Sequence, residues 1–270
     1  MEEGSRKNLQ YQGLDTLRGE GQPQFTNTFF PYTSGEIGPY YIDCVAITNN
    51  GLGYRAAIGA LQRLVITSFD DAFIDVFAGG ESRDWDFSNP LATLFQKPHA
   101  KVYKDGTIRG AKVQGKNVAW VADLNNEGSS MRDKWKPAIE RQGGEIVYAF
   151  FYVDRMEDGV QVMNDLGIPN ASVIPFDNAA WEYLERVGYI SPQLRASLDE
   201  RMLDKQAWAH RMLRSPEGVA ELERLLGNDR TYQKAALILR KGYPELQDLL
   251  VSTIRSRGLV SEEMIQRALA

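Results

Sequence analysis

A polar segment near the middle of the chain carries the residues best suited to bind an anion. Residues 117–133 form an apolar run that ends in the acid Asp123, followed by a short polar loop and a helical stretch. Exposed backbone amides at such a helix start attract anions. Gly128 permits close approach of the backbone, Ser129 and Ser130 add hydroxyl donors, and Asp123 can accept hydrogen bonds from a sugar. The segment predicts a sugar-phosphate site, although the same pattern also occurs in ordinary connections between a strand and a helix.

The elements that position this segment follow from hydrophobic patterning. Between about residues 40 and 175, short apolar runs alternate with helical stretches, which predicts an α/β fold with a mainly parallel sheet flanked by helices. The predicted strands are residues 40–43, 72–78, 118–121, 145–153 and 172–175, and the predicted helices are residues 54–68, 89–97 and 129–142. Ligands of such sheets bind beyond the carboxyl ends of the strands, where the loop after Asp123 lies.

The rest of the chain shows helical spacing only. Asp177, Ser191 and Ser261 are typical helix-capping residues, and from about residue 176 onward we predict helices and no strand. We therefore expect two domains, an α/β core over residues 1–175 and an all-helical C-terminal extension over residues 176–270. Isolated helices of this length need tertiary burial, so their apolar faces should cover the core or a second subunit.

Composition excludes several classes of protein. The chain of 270 residues is 43% hydrophobic and 25% charged, a balance typical of globular proteins. A net charge of -5 argues against a nucleic-acid-binding protein. The single cysteine and two distant histidines do not suggest a disulfide or a Cys/His metal site. No apolar run approaches the roughly 20 residues of a membrane span, and the start of the chain is polar, so we expect a cytoplasmic protein without a membrane partner.

Several short motifs resemble those of the orotate phosphoribosyltransferases. Residues 29–43, Phe-Phe-Pro-Tyr-Thr-Ser-Gly-Glu-Ile-Gly-Pro-Tyr-Tyr-Ile-Asp, are similar to the family's Ser-Gly-x-x-Ser-Pro-Tyr-Tyr-x-Asp motif, with Gly38 where Ser is usual. Residues 121–130 fall where the family has its Val-Asp-Asp-Val-x-Thr-x-Gly-Thr signature for phosphoribosyl pyrophosphate, and residues 145–155 resemble its next strand, which usually ends in Asp-Arg. The resemblance covers roughly residues 25–175 and implies the type I phosphoribosyltransferase fold, with the helical extension outside it.

The resemblance implies roles for individual residues. Asp123 matches the second acid of the signature, which holds ribose hydroxyls, and Lys104 falls near the family's phosphate-binding lysine. Phe29 and Phe30 lie where the family offers an aromatic face to the base. The residues that match the pyrophosphate loop are Gly79, Gly80, Glu81 and Arg83. Gly128 and Ser129 match the 5′-phosphate loop, and the further ligand-binding candidates around them are Asn125, Asn126, Glu127 and Ser130.

The chain departs from the family pattern in two places. Ala122 stands where the signature has its first acid, Asn126 replaces the usual Thr, and Glu127 adds a negative charge. A lost charge-assisted hydrogen bond of about 1.5–3 kcal/mol weakens ribose binding by roughly ten- to a hundredfold. The family's mobile flap, which bears Lys and His, corresponds here to the shorter residues 105–116 without His, where Arg109 can partly substitute as a cation.

Three functions stay open at this point. The resemblance implies a glycosyltransferase that moves phosphoribose from phosphoribosyl pyrophosphate to orotate or a related base, with Lys104, Arg109 and Asp123 as catalytic residues. It also implies a homodimer and a magnesium ion held by the diphosphate rather than by the protein alone. The departures favour the alternative of a non-catalytic protein that binds phosphoribosyl pyrophosphate or a nucleotide and regulates. A third possibility gives the main function to the helical extension, with the core as a scaffold.

Overall fold

The structure, a computed structural model, describes residues 3–69 and 71–270, which form eight strands and twelve α-helices. The strands are β1 (Gln24–Pro31), β2 (Ile37–Tyr41), β3 (Val76–Gly80), β4 (His99–Val102), β5 (Ile108–Gly110), β6 (Asn117–Asn125), β7 (Glu145–Asp154) and β8 (Asn170–Pro175). The helices are α1 (Glu3–Gly19), α2 (Gly51–Ser68), α3 (Trp85–Leu94), α4 (Lys136–Arg141), α5 (Asp158–Asp165), α6 (Asn178–Arg186), α7 (Pro192–Leu203), α8 (Lys205–Arg214), α9 (Pro216–Leu226), α10 (Tyr232–Leu237), α11 (Gln247–Arg257) and α12 (Glu262–Leu269).

Contacts group the described residues into two compact units. Unit 1 comprises the residues up to Gln22 together with Asp43–Val187, and unit 2 comprises Pro23–Ile42 together with Gly188–Ala270. The grouping therefore places β1 and β2 with the C-terminal helices, whereas the sequence-based division at residue 175 follows chain order. That division, as a statement about independently folding domains, stays a prediction.

Unit 1 is built on a six-stranded sheet in the order β5-β4-β3-β6-β7-β8. All neighbouring strands are parallel except β5, which pairs antiparallel with β4. The mainly parallel sheet predicted from the alternating pattern is thus confirmed. The chain runs outward from β3 to β4 on one side and from β6 to β8 on the other, so the strand order reverses between β3 and β6. Such a reversal opens a crevice at the carboxyl ends of the two strands.

Helices cover both faces of this sheet. On one face, an apolar cluster joins Trp120 of β6 and Phe151 of β7 to Trp135 and to Ile139 of α4. On the other face, Phe87 of α3 stacks on Tyr152 of β7 with ring centroids 5.4 Å apart. Adjacent residues of a strand point to opposite faces, so buried residues on both faces explain the near-continuous apolar runs of β6 and β7.

The predicted strands and helices are present with shifted bounds, and several elements were missed. Helical residues continue from Ser129 to Arg141, but a π-helical turn at Met131–Trp135 precedes α4, which begins next to Pro137. Proline lacks a backbone N–H donor, so a regular helix that begins next to Pro137 is its expected effect. Sequence patterning missed α1, α5, β1, β4 and β5. Strands β4 and β5 have only four and three residues, too few for a clear period.

Unit 2 packs the β1–β2 hairpin and the C-terminal helices around a single core. The antiparallel hairpin contributes Phe29 and Ile37 to an apolar cluster that also contains Trp208 of α8 and Leu222 of α9. The described residues from 176 onward hold helices and no strand, as predicted. Each expected cap is formed, because the side chains of the three capping residues accept from backbone N–H groups of α6, α7 and α12.

Among the described residues, no helix is long and apolar enough to cross a membrane.

The turn between β1 and β2 requires glycine at position 35, which belongs to the motif that resembles the family. Gly35 has a φ of 96°, and a Cβ added there would lie 2.7 Å from the Leu237 carbonyl oxygen. Nearby, the Ile37 N–H donates to the Tyr243 hydroxyl at 3.2 Å, and the Lys205 ammonium lies 3.1 Å from the Glu36 carboxylate. The turn is therefore held against the C-terminal helices by a close backbone approach that only glycine allows.

Candidate active site

Strands β3 and β6 separate at the point where the sheet order reverses. Their paired register ends at Ala78 and Trp120, while β3 continues to Gly80 and β6 continues to Asn125. The Asp84 carboxyl fills the gap, because Oδ2 accepts from the Gly80 N–H at 3.0 Å and Oδ1 accepts from the Asp123 N–H at 3.3 Å. A side chain from the loop after β3 thus ties the two diverging strands together.

Asp123 is the predicted site residue at this fork. It is 5% exposed, and its Oδ2 atom has no hydrogen-bond partner among the residues that the structure describes. The Arg83 Nε atom lies 3.6 Å from that oxygen, and the Arg83 side chain is largely exposed. The buried carboxylate therefore has an oxygen that accepts no hydrogen bond among the described residues and faces the Arg83 guanidinium.

The carboxyls of Asp84 and Asp123 lie close enough to shift each other's pKa. Burial and then the negative charge of Asp123 raise the pKa of Asp84 well above its usual range. Burial also raises the pKa of Asp123, although the Arg83 guanidinium opposes the shift. A carboxyl pair with one proton presents a donor as well as acceptors, which suits hydroxyl groups that both give and accept hydrogen bonds.

The glycines after β3 are needed for packing. A Cβ on Gly79 would lie 2.5 Å from the Ser88 Oγ atom of α3, and one on Gly80 would lie 2.7 Å from the Trp135 ring. Both residues are buried, so the loop passes between tightly packed groups on either side. The ligand contacts predicted for Gly79 and Gly80 stay predictions, since their identity already has this packing explanation.

The carboxyl ends of β3 and β4 bring Glu81 and Lys104 together. The Lys104 N–H donates to Glu81 Oε2 at 3.0 Å, and the exposed Lys104 side chain follows β4 directly. Arg109 lies on the edge strand β5, with its guanidinium carbon 5.4 Å from the centroid of the Tyr103 ring. Residues 105–116 thus form the turn, edge strand and second turn of a compact hairpin, and the cations Lys104 and Arg109 are placed on the β4 side of the site.

The loop after β6 is anchored to the elements that follow it. Asn125 donates through Nδ2 to Asp154 Oδ2 at 2.9 Å, and the Asn126 carbonyl accepts from the Gly159 N–H at 2.8 Å. Gly128 has a φ of 68°, and its added Cβ would lie 2.8 Å from the Val162 side chain of α5. These contacts fix the loop from the side of β7 and α5.

This anchoring leaves donors available in the loop after β6. Within the described part of the chain, the backbone N–H groups of Glu127 and Gly128 donate no hydrogen bond. Ser129 and Ser130 open the helical segment directly after them. Backbone amides before a helix start, followed by two serines, are groups of the kind that bind anions, and the anion-binding role of these residues stays a prediction.

The two aromatic candidates lie in unit 2 and differ in exposure. Phe29 is 2% exposed and belongs to the helical core of that unit. Phe30 is half-buried, with its ring 6.1 Å from that of Tyr41, which is itself exposed. Phe30 therefore has the more accessible ring, and the base-stacking role of both residues stays a prediction.

Sequence reasoning did not assign Asp84 to the site. In the sequence, Asp84 stands in a charged segment shortly after Gly79 and Gly80. Such a segment is as typical of a salt-bridged surface turn as of a ligand-binding loop. The reasoning also missed the buried ion pair between Arg155 Nη2 and Glu157 Oε1, 3.1 Å apart, beyond the end of β7. Cys44 is a free, buried thiol whose pKa is raised by burial.

Comparisons with known proteins identify the class of fold first. No family model matches the chain. A UMP synthase from Leishmania donovani superposes with a TM-score of 0.59 at 18% identity, over 69% of this chain and 40% of that longer one. The orotate phosphoribosyltransferase of Aeropyrum pernix superposes with a TM-score of 0.56 at 22% identity, over 65% of this chain and 99% of the other. With the sheet order, these matches define an α/β fold of the type I phosphoribosyltransferase class.

Curated sequences then give the particular resemblance. The orotate phosphoribosyltransferase of Sulfolobus acidocaldarius is 28% identical over 150 residues, which cover 53% of this chain and 74% of that protein. The orotate phosphoribosyltransferase of Sulfurisphaera tokodaii is 25% identical over 180 residues, which cover 64% of this chain and 89% of that protein. The resemblance to orotate phosphoribosyltransferases predicted from the short motifs is thereby confirmed.

Proposed function

We propose that this protein is a glycosyltransferase that transfers phosphoribose from phosphoribosyl pyrophosphate to orotate or a related base. The observation that supports this most strongly is the buried Asp123 carboxylate at the fork of β3 and β6, with one oxygen unpartnered among the described residues. The names of the relatives point to the same reaction. A ribose hydroxyl is the kind of donor that such an oxygen accepts from.

In this proposal, the remaining groups of the site bind different parts of the substrate. The amides of Glu127 and Gly128, with the hydroxyls of Ser129 and Ser130, suit the 5′-phosphate. Arg83 and Lys104 lie on the β3–β4 side, where the diphosphate leaves. The protein then does little covalent chemistry, because it holds the sugar in place and stabilises the charge of the departing diphosphate.

Magnesium belongs to this proposal as a companion of the substrate. The described residues contain no group of three or more side chains suited to hold a metal. Magnesium commonly keeps several waters and binds through substrate phosphates, so we assign its main ligands to the diphosphate. When bound, it neutralises charge on the leaving group. A homodimer is also part of the proposal and is supported by the resemblance alone, whereas the cytoplasmic location is supported by the composition and the polar start of the chain.

The first experiment is an assay of turnover with a matched pair of variants. Purified protein with magnesium, phosphoribosyl pyrophosphate and orotate should consume orotate, seen as a fall in its ultraviolet absorbance. Asp123→Asn should lower kcat/KM by roughly ten- to a hundredfold, because a charge-assisted hydrogen bond is worth about 1.5–3 kcal/mol. Asp165→Asn, an exposed substitution on α5, should leave it unchanged. Absence of turnover with orotate and with every common base would refute the enzymatic proposal.

A second function, binding of phosphoribosyl pyrophosphate or a nucleotide without catalysis, is favoured by two observations. Ala122 is buried in the apolar cluster where the family has an acid, and residues 105–116 form a compact hairpin where the family has a flap. Calorimetric titration with phosphoribosyl pyrophosphate and with nucleoside monophosphates separates the two functions. Tight binding without turnover would establish the regulatory alternative.

A further inference from the structure

We propose that Asp84 is the second carboxyl of the ribose site and replaces, from the loop after β3, the acid that Ala122 does not provide at the end of β6. This inference rests on the proposed function, because it concerns the same sugar. It goes beyond the resemblance, since the family places both acids of its signature side by side on one strand.

The surroundings of Ala122 show why an acid at this position would be out of place. Ala122 is 5% exposed and lies in the apolar cluster with Trp135 and Phe151. Adjacent residues of a strand point to opposite faces, so Asp123 and Ala122 face different environments. An acid at position 122 would be buried among apolar groups, where a charge is costly.

Asp84 reaches the fork from the other strand. Its carboxyl accepts from the Asp123 N–H, as described above, and its pKa is raised by burial and by the negative charge of Asp123. The Arg83 guanidinium lowers the pKa of Asp123, and the negative charge of Asp43 raises it. Arg83 is a cation with a largely exposed side chain, and its Nε atom lies 3.6 Å from Asp123 Oδ2.

The Asp123 Oδ2 atom, which accepts no hydrogen bond among the described residues, favours a ligand site over a purely structural role for the carboxyl pair. To hold the Gly80 and Asp123 N–H groups, the side chain at position 84 needs only acceptor atoms. A neutral Asn side chain has one such oxygen and could accept one of these two hydrogen bonds. Two adjacent buried carboxyls are unfavourable by comparison, because each disfavours ionisation of the other. One carboxylate oxygen of the pair, Asp123 Oδ2, is buried, lies 3.6 Å from Arg83 Nε and accepts no hydrogen bond among the described residues, so the pair can still accept from one more donor.

The test compares two ligands that differ in the ribose. Calorimetry with magnesium measures the binding of phosphoribosyl pyrophosphate and of inorganic diphosphate to the full chain and to Asp84→Asn. We expect about tenfold or greater weakening for phosphoribosyl pyrophosphate and a change of less than about twofold for diphosphate, which lacks the sugar. Asp86→Asn is the matched control, because it removes a half-buried acid two residues further on and should alter neither affinity.

Each outcome decides the matter. Unchanged binding of phosphoribosyl pyrophosphate by Asp84→Asn would overturn the inference and leave the proposed function standing. Equal weakening for both ligands would also overturn it, because Asp84 would then act only on the shape of the loop. If the parent protein binds neither ligand, the proposed function fails and the inference fails with it. Thermal unfolding checks each variant, and if Asp84→Asn does not fold, Asp84→Ser, which also removes the acid, must show the same selective loss.

Discussion

The loops after β3 and β6 meet at one fork in the sheet, but they are held in different ways. The loop after β3 reaches across the fork, because Asp84 accepts from the backbone of both strands. The loop after β6 is held from the opposite direction, through the bond of Asn126 to Gly159 and the packing of Gly128 on Val162. One loop therefore uses its polar group to close the fork, while the other keeps its amides open for a ligand.

Our proposal for Asp84 ties a functional group to a place in the fold more than to a position in a motif. The carboxyl ends of neighbouring parallel strands lie along one edge, so an acid from either loop can reach the same sugar. A motif read along one strand detects the absence of an acid at Ala122 but not its replacement by Asp84. Substitutions in the two loops can separate the role of closing the fork from the role of binding a ligand.

The largest expected effect comes from restoring the family's acid on β6. Ala122→Asp places a carboxyl in an apolar cluster, and an uncompensated buried charge destabilises a protein by about 3 kcal/mol or more. We expect this loss in urea unfolding, with no gain in affinity for phosphoribosyl pyrophosphate. Ala122→Asn, which adds similar volume without charge, is the control and should be less harmful at neutral pH. A stable Ala122→Asp variant with at least tenfold tighter binding would show that the missing acid belongs on β6.

A smaller effect should come from loosening the outer anchor of the loop after β6. Gly128→Ala introduces a Cβ 2.8 Å from Val162 at a positive φ, which should destabilise the protein by about 2 kcal/mol. Gly59→Ala is the control in α2, where an added Cβ meets nothing within 4 Å, and it should stabilise by about 0.5–1 kcal/mol. Equal unfolding free energies for the two variants would contradict the proposed anchoring by α5.

Part of this arrangement is readable from the sequence. The apolar run before Asp123 and the glycine, serines and helix after it predict the strand, the loop and the helical segment that the structure contains. Local patterns carry this information because each element is fixed by residues that are close along the chain. The chain order of strands and helices likewise predicts the parallel sheet.

The remainder depends on contacts between distant parts of the chain. The role of Asp84 depends on how far β3 and β6 diverge, which no local pattern specifies. The burial of Phe29 depends on helices that follow it by more than 150 residues. Helix α1 was missed because its polar sequence carries only a few apolar residues, among them the buried Leu9, Leu14 and Leu17. In each case the deciding partner lies outside the window in which periodicity is read.

The smallest expected effect concerns the support behind the loop after β3. His99 Nε2 lies 2.8 Å from Ser88 Oγ, the atom against which Gly79 packs. Burial, assisted by the charge of Lys101, lowers the pKa of His99 from 6.5 to about 4. The unfolded chain therefore takes up a proton as the pH falls through 6.5, while folded His99 stays neutral until about pH 4. Stability from this group is complete above pH 6.5 and decreases as the pH falls through that window.

His99→Gln can keep the hydrogen bond to Ser88 but has no proton to gain in this range. Urea unfolding between pH 4 and pH 8 should show a shallower loss of stability on acidification for the variant than for the parent. The difference should be of the order of 1 kcal/mol, because a half-exposed group is partly screened by water. The carboxyls titrate in both proteins, so their contributions cancel in the comparison. Parallel profiles would mean that His99 is not held neutral behind Gly79.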